Sequence, residues 1–224
     1  MEFSERSYGG KLFRPRPEIF ISDDKKLFIV TTPWGPRRIA QVFIERVTSE
    51  LQDFSVDPDH TVFSMPSDTL SEKENRLRLV LLSLHEDLRE EFNSETLTSG
   101  LEILCVLKDE NKISWFKIGA PFLAVLRSSQ ILPLHHPVDL SFDHSTTETL
   151  PPLPKQLYGL SQHSSIEHGN LMHREGDRLL MVARSYVPFS TLQIKPDEMT
   201  LDNITLSLAN DNEDQPFWLG LLEL

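Results

Sequence analysis

The chain has 224 residues and a formal charge of −12, from 34 acidic against 22 basic side chains. Such a field repels phosphate backbones and anionic lipid, which argues against nucleic acid and membrane surfaces as partners. The single cysteine, Cys105, excludes an intrachain disulfide and a cysteine-based zinc site, and fits a reducing compartment.

No apolar run approaches the roughly 18 residues of a membrane span, and the opening MEFSERSYGG lacks the apolar stretch of a secretory signal. The expectation is a soluble, cytoplasmic protein folded as one domain over residues 1–224. A chain of this length buries about 70% of its unfolded surface and needs no disulfide or structural metal.

The N-terminal arm up to Pro17 carries Lys11, Arg14 and Arg16 between prolines and reads as an irregular lead-in. Residues 19–21 and 27–30 read as short strands joined by the turn Asp23-Asp24-Lys25-Lys26. Pro33 and Pro36 are expected to stop the second strand, and Pro36 suits the first turn of a helix. Ile39, Val42, Phe43, Val47 and Leu51 then recur at helical spacing, predicting a half-buried helix as far as Phe54. Residues 55–70 are polar, contain two prolines and read as a loop. Ser71 with Glu74 three residues on forms a capping box. It opens a second helix, striped by Leu77, Val80, Leu81, Leu84, Leu88 and Phe92 and ending near Asn93.

Four apolar runs follow, at 101–107, 113–118, 122–126 and 130–134, and predict an antiparallel meander with Cys105 buried and inert inside it. Residues 137–154, rich in Ser, Thr and Pro, read as a long surface loop. A strand at 179–182 follows the turn Glu175-Gly176-Asp177, with a short helix over about 196–209 and a last strand at 217–222. Strands, then two helices, then many strands argue for α+β layering.

Chemical motifs are mostly missing. Neither the phosphate-cradling glycine loops nor the G-x-S-x-G nucleophile elbow occurs. His135 and His136 fall in a proline-flanked loop. His163, His168 and His173 are five apart, a spacing that suits neither a helix face nor a strand face, so all five are expected to be exposed polar groups. Trp34 and Trp218 read as packing residues, and the acidic pairs Asp23-Asp24 and Glu213-Asp214 as solvated turns.

The order of segments says more. Arg14 and Glu18 precede a short strand; Val30-Thr31-Thr32-Pro33-Trp34-Gly35-Pro36 leads into the first helix; Gly100-Leu101-Glu102 opens the central hairpin. Ile118-Gly119-Ala120-Pro121-Phe122 follows it, Gly176-Asp177-Arg178-Leu179-Leu180-Met181-Val182-Ala183-Arg184-Ser185 leads a later strand, and Glu213-Asp214-Gln215-Pro216-Phe217 precedes the last. This pattern resembles the PPM family, the metal-dependent Ser/Thr protein phosphatases of type two C, over nearly the whole chain. The matching family motifs are R-x-x-x-E-D, V-A-D-G-M-G-G, G-T-T, V-G-D-S-R, G-D-x-L-L-L-x-S-D-G and D-N-x-T-V.

The resemblance implies a four-layer α-β-β-α sandwich of two antiparallel sheets flanked by helices. It also implies aspartates holding two Mn²⁺ or Mg²⁺ ions and a bridging water that attacks phosphorus. The scaffold glycines and apolar strands match, but the metal-site positions read Ile19 beside the kept Glu18, then Thr32, Ala120, Arg184 and Glu213. One carboxylate cannot hold a hard divalent cation, and Arg184 would repel it. The expectation is a pseudophosphatase with no catalytic residue and no cofactor, acting as a regulatory module on a protein partner. Arg184 is expected to pair with Glu18 or Glu213 in place of the metal charge. Two alternatives are a phosphoprotein-binding module using Arg14, Arg37 and Arg184, and a residually active enzyme with relocated ligands for Mn²⁺ or Mg²⁺.

Overall fold

The computed structural model describes residues 2–53, 67–128, 130–143, 150–162 and 165–224. The expected loop at 55–70 lies outside the described residues except for its last four, and His163 lies outside them as well. No helix among the described residues is long and apolar enough to cross a membrane.

The chain opens with a strand, β1 (Phe3–Tyr8), where an irregular arm was expected. Its sequence FSERSY is mostly polar, and the strand owes its existence to antiparallel pairing with the last strand, β10 (Phe217–Glu223). Phe3 packs on Phe28 and Tyr8 stacks on Phe217, so both ends are pinned by rings supplied from far along the chain.

The expected hairpin forms as β2 (Glu18–Ile21) and β3 (Leu27–Trp34). Contrary to expectation, β3 runs through Pro33. The β2 ladder ends at Glu18 opposite Thr31, so beyond Thr31 one edge of β3 is unpaired and a residue without an N–H is tolerated.

Helices α1 (Arg38–Asp53) and α2 (Glu72–Asn93) follow, the second with the capping box formed by Ser71 and Glu74. Their stripes, including Ile39, Phe43, Val47, Leu77, Leu81 and Leu84, bury against one face of a sheet at Ile103, Cys105 and Phe116. Cys105 is fully enclosed there and burial pushes its thiol pKa up, which makes it inert at neutral pH.

The expected meander divides between two sheets. β4 (Gly100–Lys108) and β5 (Lys112–Ile118) form one hairpin, and β6 (Phe122–Arg127) and β7 (Gln130–His135) form another in the opposite sheet. The chain passes between them at Gly119, whose φ of 73° turns it over, and Pro121 has no N–H with which to continue the β5 ladder. Apolar runs separated by short turns look the same whether they pair or cross, so the sequence pattern alone reads as a meander.

Of the segment expected as a loop at 137–154, residues 144–149 lie outside the described residues, and the rest includes one helical turn, α3 (Leu140–Asp143). β8 (Glu167–Met172) and β9 (Arg178–Ala183) come next, then a short α4 (Phe189–Leu192) that no periodicity announces. α5 (Leu201–Asp211) starts five residues later than expected, because the Thr200 side chain accepts from Asn203 N and sets the cap there.

The finished architecture is two five-stranded antiparallel sheets, ordered β1-β10-β9-β6-β7 and β2-β3-β4-β5-β8. Phe28, Val30, Leu104 and Trp115 of the second face Leu123, Val125, Met181 and Trp218 of the first across a shared apolar layer. α1 and α2 cover the second sheet; Ile204 and Leu208 of α5 cover the first. This is the α+β sandwich that the resemblance implies.

Candidate functional site

Side chains alternate along a strand, so the inward-facing residues of the second sheet can be followed to its end. Phe28 and Val30 lead to Thr32 on β3, Val106 and Leu104 to Glu102 on β4, and Ile113 and Trp115 to Lys117 on β5. The apolar layer between the sheets therefore ends in three polar groups, with Thr32 directly opposite Glu102 in register. All three are buried. Each is the lone ionic or hydroxyl group terminating an otherwise apolar face, and such groups need partners.

Glu102 is held by three donors. Its Oε2 accepts from Arg14 Nη2 and from Trp34 Nε1 at 3.0 Å, and its Oε1 accepts from the backbone N–H of Ala120 at 2.9 Å. The side chains of Arg14 and Glu102 are each 3% exposed. The Arg14 guanidinium also lies 5.6 Å from the Trp34 ring centroid. A Cβ at Gly119 would come within 2.8 Å of Glu102 Cγ, so that glycine is what lets the chain pass so close to the carboxylate.

Arg184 follows β9 and its side chain is wholly enclosed. It pairs with Asp211, not with Glu18 or Glu213: Nη2 donates to Asp211 Oδ2 at 3.1 Å and to Asn212 O at 3.3 Å. Its guanidinium lies 4.8 Å from the Tyr186 ring centroid, and the Tyr186 hydroxyl donates to the same Asp211 oxygen. Burial pulls the Arg184 pKa down, against the opposing pull of Tyr186 and Asp211. Glu18 instead accepts from Arg37, with Nε at 2.9 Å, and Glu213 stands exposed.

Of the expected site residues, the structure thus gathers Arg14, Thr32 and Ala120 around Glu102. Ile19 packs against the apolar layer, Glu18 and Arg37 form a separate partly exposed pair, and Arg184 forms a third centre with Asp211. Glu102, Trp34 and Lys117 are missing from the sequence-derived set. The signal for two of them was present: Glu102 and Lys117 are single charges inside apolar strand runs, where charges are almost never buried without partners. His135, expected in an exposed loop, is the last residue of β7 with a side chain 17% exposed, whereas His168 on β8 is exposed as expected, with its ring stacked on Phe116 of β5.

No protein-family model matches the chain, and no curated protein matches it. Solved structures do, and they define the fold as that of the PPM-type Ser/Thr phosphatases. MsPP, a PPM Ser-Thr phosphatase from Mycobacterium smegmatis in complex with cacodylate, aligns with a TM-score of 0.66 at 14% identity, over 100% of this chain and 98% of that one. PppA of Pseudomonas aeruginosa, a key regulatory component of T6SS, aligns at 0.65 with 12% identity over 99% and 96%. The serine/threonine phosphatase PstP/Ppp of Mycobacterium tuberculosis aligns at 0.61 with 14% identity over 100% and 99%.

The side chains at this end do not fit a pair of divalent cations. Both oxygens of Glu102 already accept, from Arg14, Trp34 and Ala120, and its buried neighbours Thr32 and Lys117 bring no anionic oxygen. Among the described residues no three His, Cys, Asp or Glu side chains converge as a metal-binding group. Mg²⁺ is held in octahedral geometry by at least one or two free carboxylates, and here the one carboxylate at this end is already engaged by a guanidinium.

Proposed function

We propose that this chain is a catalytically inactive phosphatase-like domain, a pseudophosphatase, that serves as a regulatory protein-interaction module. The observation that carries the proposal is Glu102: the buried carboxylate at the polar end of the sandwich is occupied by the permanently charged Arg14. An internal cation does there what a metal ion would otherwise do, balancing buried negative charge, and it offers no activated water for attack on phosphorus. The test is calorimetry with Mn²⁺ and with Mg²⁺, combined with turnover of a generic aryl phosphate in the same buffers. Neither heat nor turnover is expected. Saturable binding with turnover would overturn the proposal and make the chain an enzyme with relocated ligands.

One observation supports a second reading as a phosphoprotein-binding module. Nε of Arg14 and Nε and Nη1 of Arg184 are buried without a hydrogen-bond partner, and guanidinium donors of this kind suit phosphate. Both arginines are enclosed and already held by Glu102 and Asp211, which leaves the exposed Arg37 as the accessible member. A phosphopeptide bound at least tenfold tighter than its unphosphorylated twin, with the difference lost in Arg37→Ala, would promote this reading.

A further inference from the structure

Lys117 is the most fully enclosed lysine at the polar end of the sandwich, with no measurable exposure. Its Nζ donates to Pro121 O at 2.8 Å and to His135 Nδ1 at 2.5 Å. The other ring nitrogen, His135 Nε2, is paired with Glu167 Oε2. An ammonium has no acceptor, so Nδ1 must accept and Nε2 must carry the ring proton and donate it to the carboxylate. The result is an unbranched chain of donors from a buried amine, through an imidazole, to a carboxylate whose side chain is 56% exposed.

The three residues come from three strands and both sheets. Lys117 lies on β5 and is in register with Glu167, the first residue of β8, the outer strand of the second sheet. His135 is the last residue of β7, the outer strand of the first sheet. Leu132 and Leu134 of β7 and Leu171 of β8 pack against the same apolar layer, and the His135–Glu167 pair joins the two outer strands directly at its polar end. It also sits where the polypeptide leaves the first sheet and where it returns to the second.

The charges around it are few. Glu102 on β4 and Glu167 on β8 act on Lys117; His136, next to β7, and Lys117 itself act on His135; and Arg14 enters through its pairing with Glu102. With one proton shared by Lys117 and His135 beyond the neutral imidazole, the five groups Arg14, Glu102, Lys117, His135 and Glu167 sum to zero charge. A second proton makes both ring nitrogens donors, so Nδ1–H would point at an ammonium and the Lys117–His135 hydrogen bond must open.

We propose that Lys117, His135 and Glu167 form a proton-operated latch between the outer strands of the two sheets, closed while Lys117 and His135 share one titratable proton and opened on the Lys117 side when they hold two. Burial, and then the Lys117 charge, pulls His135 down to about 4 against the opposing pull of Glu167; burial brings Lys117 down to about 7 against Glu167 and Glu102. Because the two sites are coupled, these values belong to the pair. The latch therefore holds its single proton between about pH 4 and about pH 7 and opens in acid.

The test follows the His135 ring by NMR from about pH 8 to about pH 3.5, together with amide exchange in β7 corrected for the intrinsic rate. Lys117→Met is expected to raise the His135 midpoint by about one pH unit or more, and Glu167→Gln to lower it. Exchange at Leu132 and Leu134 is expected to quicken about tenfold between pH 6 and pH 4, ahead of β9 and β10, and to lose that step in Lys117→Met. A midpoint indifferent to Lys117→Met, or β7 exchange that rises only in step with β9 and β10, overturns the latch. If Lys117→Met does not fold, Glu167→Gln decides alone, since Glu167 is mostly exposed: an unchanged midpoint in that variant refutes the proposal.

Discussion

Two buried glutamates occupy opposite ends of the β4–β5 hairpin, and they differ in how the chain satisfies them. Glu74, at the start of α2, is held by neighbours in sequence and one hairpin: its backbone partner is Ser71, and Ser114 and Lys112 complete the set, with Lys112 Nζ at 2.7 Å. Burial pushes its carboxyl up, but the hydrogen bonds from Lys112, Ser114 and Ser71 outweigh it and hold the pKa at about 2. It lies on the wall of a cavity of about 800 Å³ whose described lining includes Thr48 and Leu51 of α1 and Ser71, Lys73 and Arg76 around the start of α2. Glu102, in contrast, draws on Arg14, 88 residues away, and Trp34, 68 away. A glutamate fixed locally, beside a cleft, can be hydrated when a partner is lost. One fixed by distant segments inside the sandwich cannot.

That difference ranks the variants. Glu102→Ala should be the most damaging, at about 3–5 kcal/mol by denaturant unfolding, because it leaves Arg14 as an uncompensated buried charge. Arg184→Ala should cost about 2–3 kcal/mol, mainly through lost packing and the orphaned Asp211 and Tyr186 contacts. A melting temperature unchanged in Arg184→Ala would show that this centre contributes nothing to the fold. The pH response comes next. Lys117 has a folded pKa of about 7 against an ordinary 10.5, so between these values the unfolded chain binds more protons and stability must rise with pH. The slope should approach about 1.4 kcal/mol per pH unit and flatten in Lys117→Met. A slope of the opposite sign there would mean that Lys117 is stabilised as a cation. The mildest change should be Glu74→Ala, at about 1–2 kcal/mol from the lost capping box and the freed Lys112 and Ser114. If it equalled Glu102→Ala, the distinction between the two ends would fail.

The same contrast explains what could be read from the sequence. The capping box, the α1 and α2 stripes and the apolar runs of β4, β5, β6, β9 and β10 are encoded by neighbours within a few residues, and each was visible as spacing. β1, the division of the hairpins between two sheets and the course of β3 through Pro33 depend on which distant strand lies alongside, which periodicity does not carry. At the candidate site, the family resemblance pointed to Thr32, Ala120 and Arg184 as places to look, and the structure buries all three. Their partners were not legible. Asp211 is 27 residues from Arg184, and the Lys117–His135 bond joins residues in different sheets. A lone charge within an apolar strand marks that a partner exists without saying which one.

The pairing of β1 with β10 has a consequence for handling the molecule. Phe3 is in register with Leu222, and Glu223 N donates to Glu2 O, so the first and last strands finish side by side at the end of the first sheet remote from Trp218 and Arg184. Joining residues 2 and 224 through a short flexible link and reopening the chain at an exposed turn such as Asp23-Asp24 should yield a circular permutant with the same sandwich.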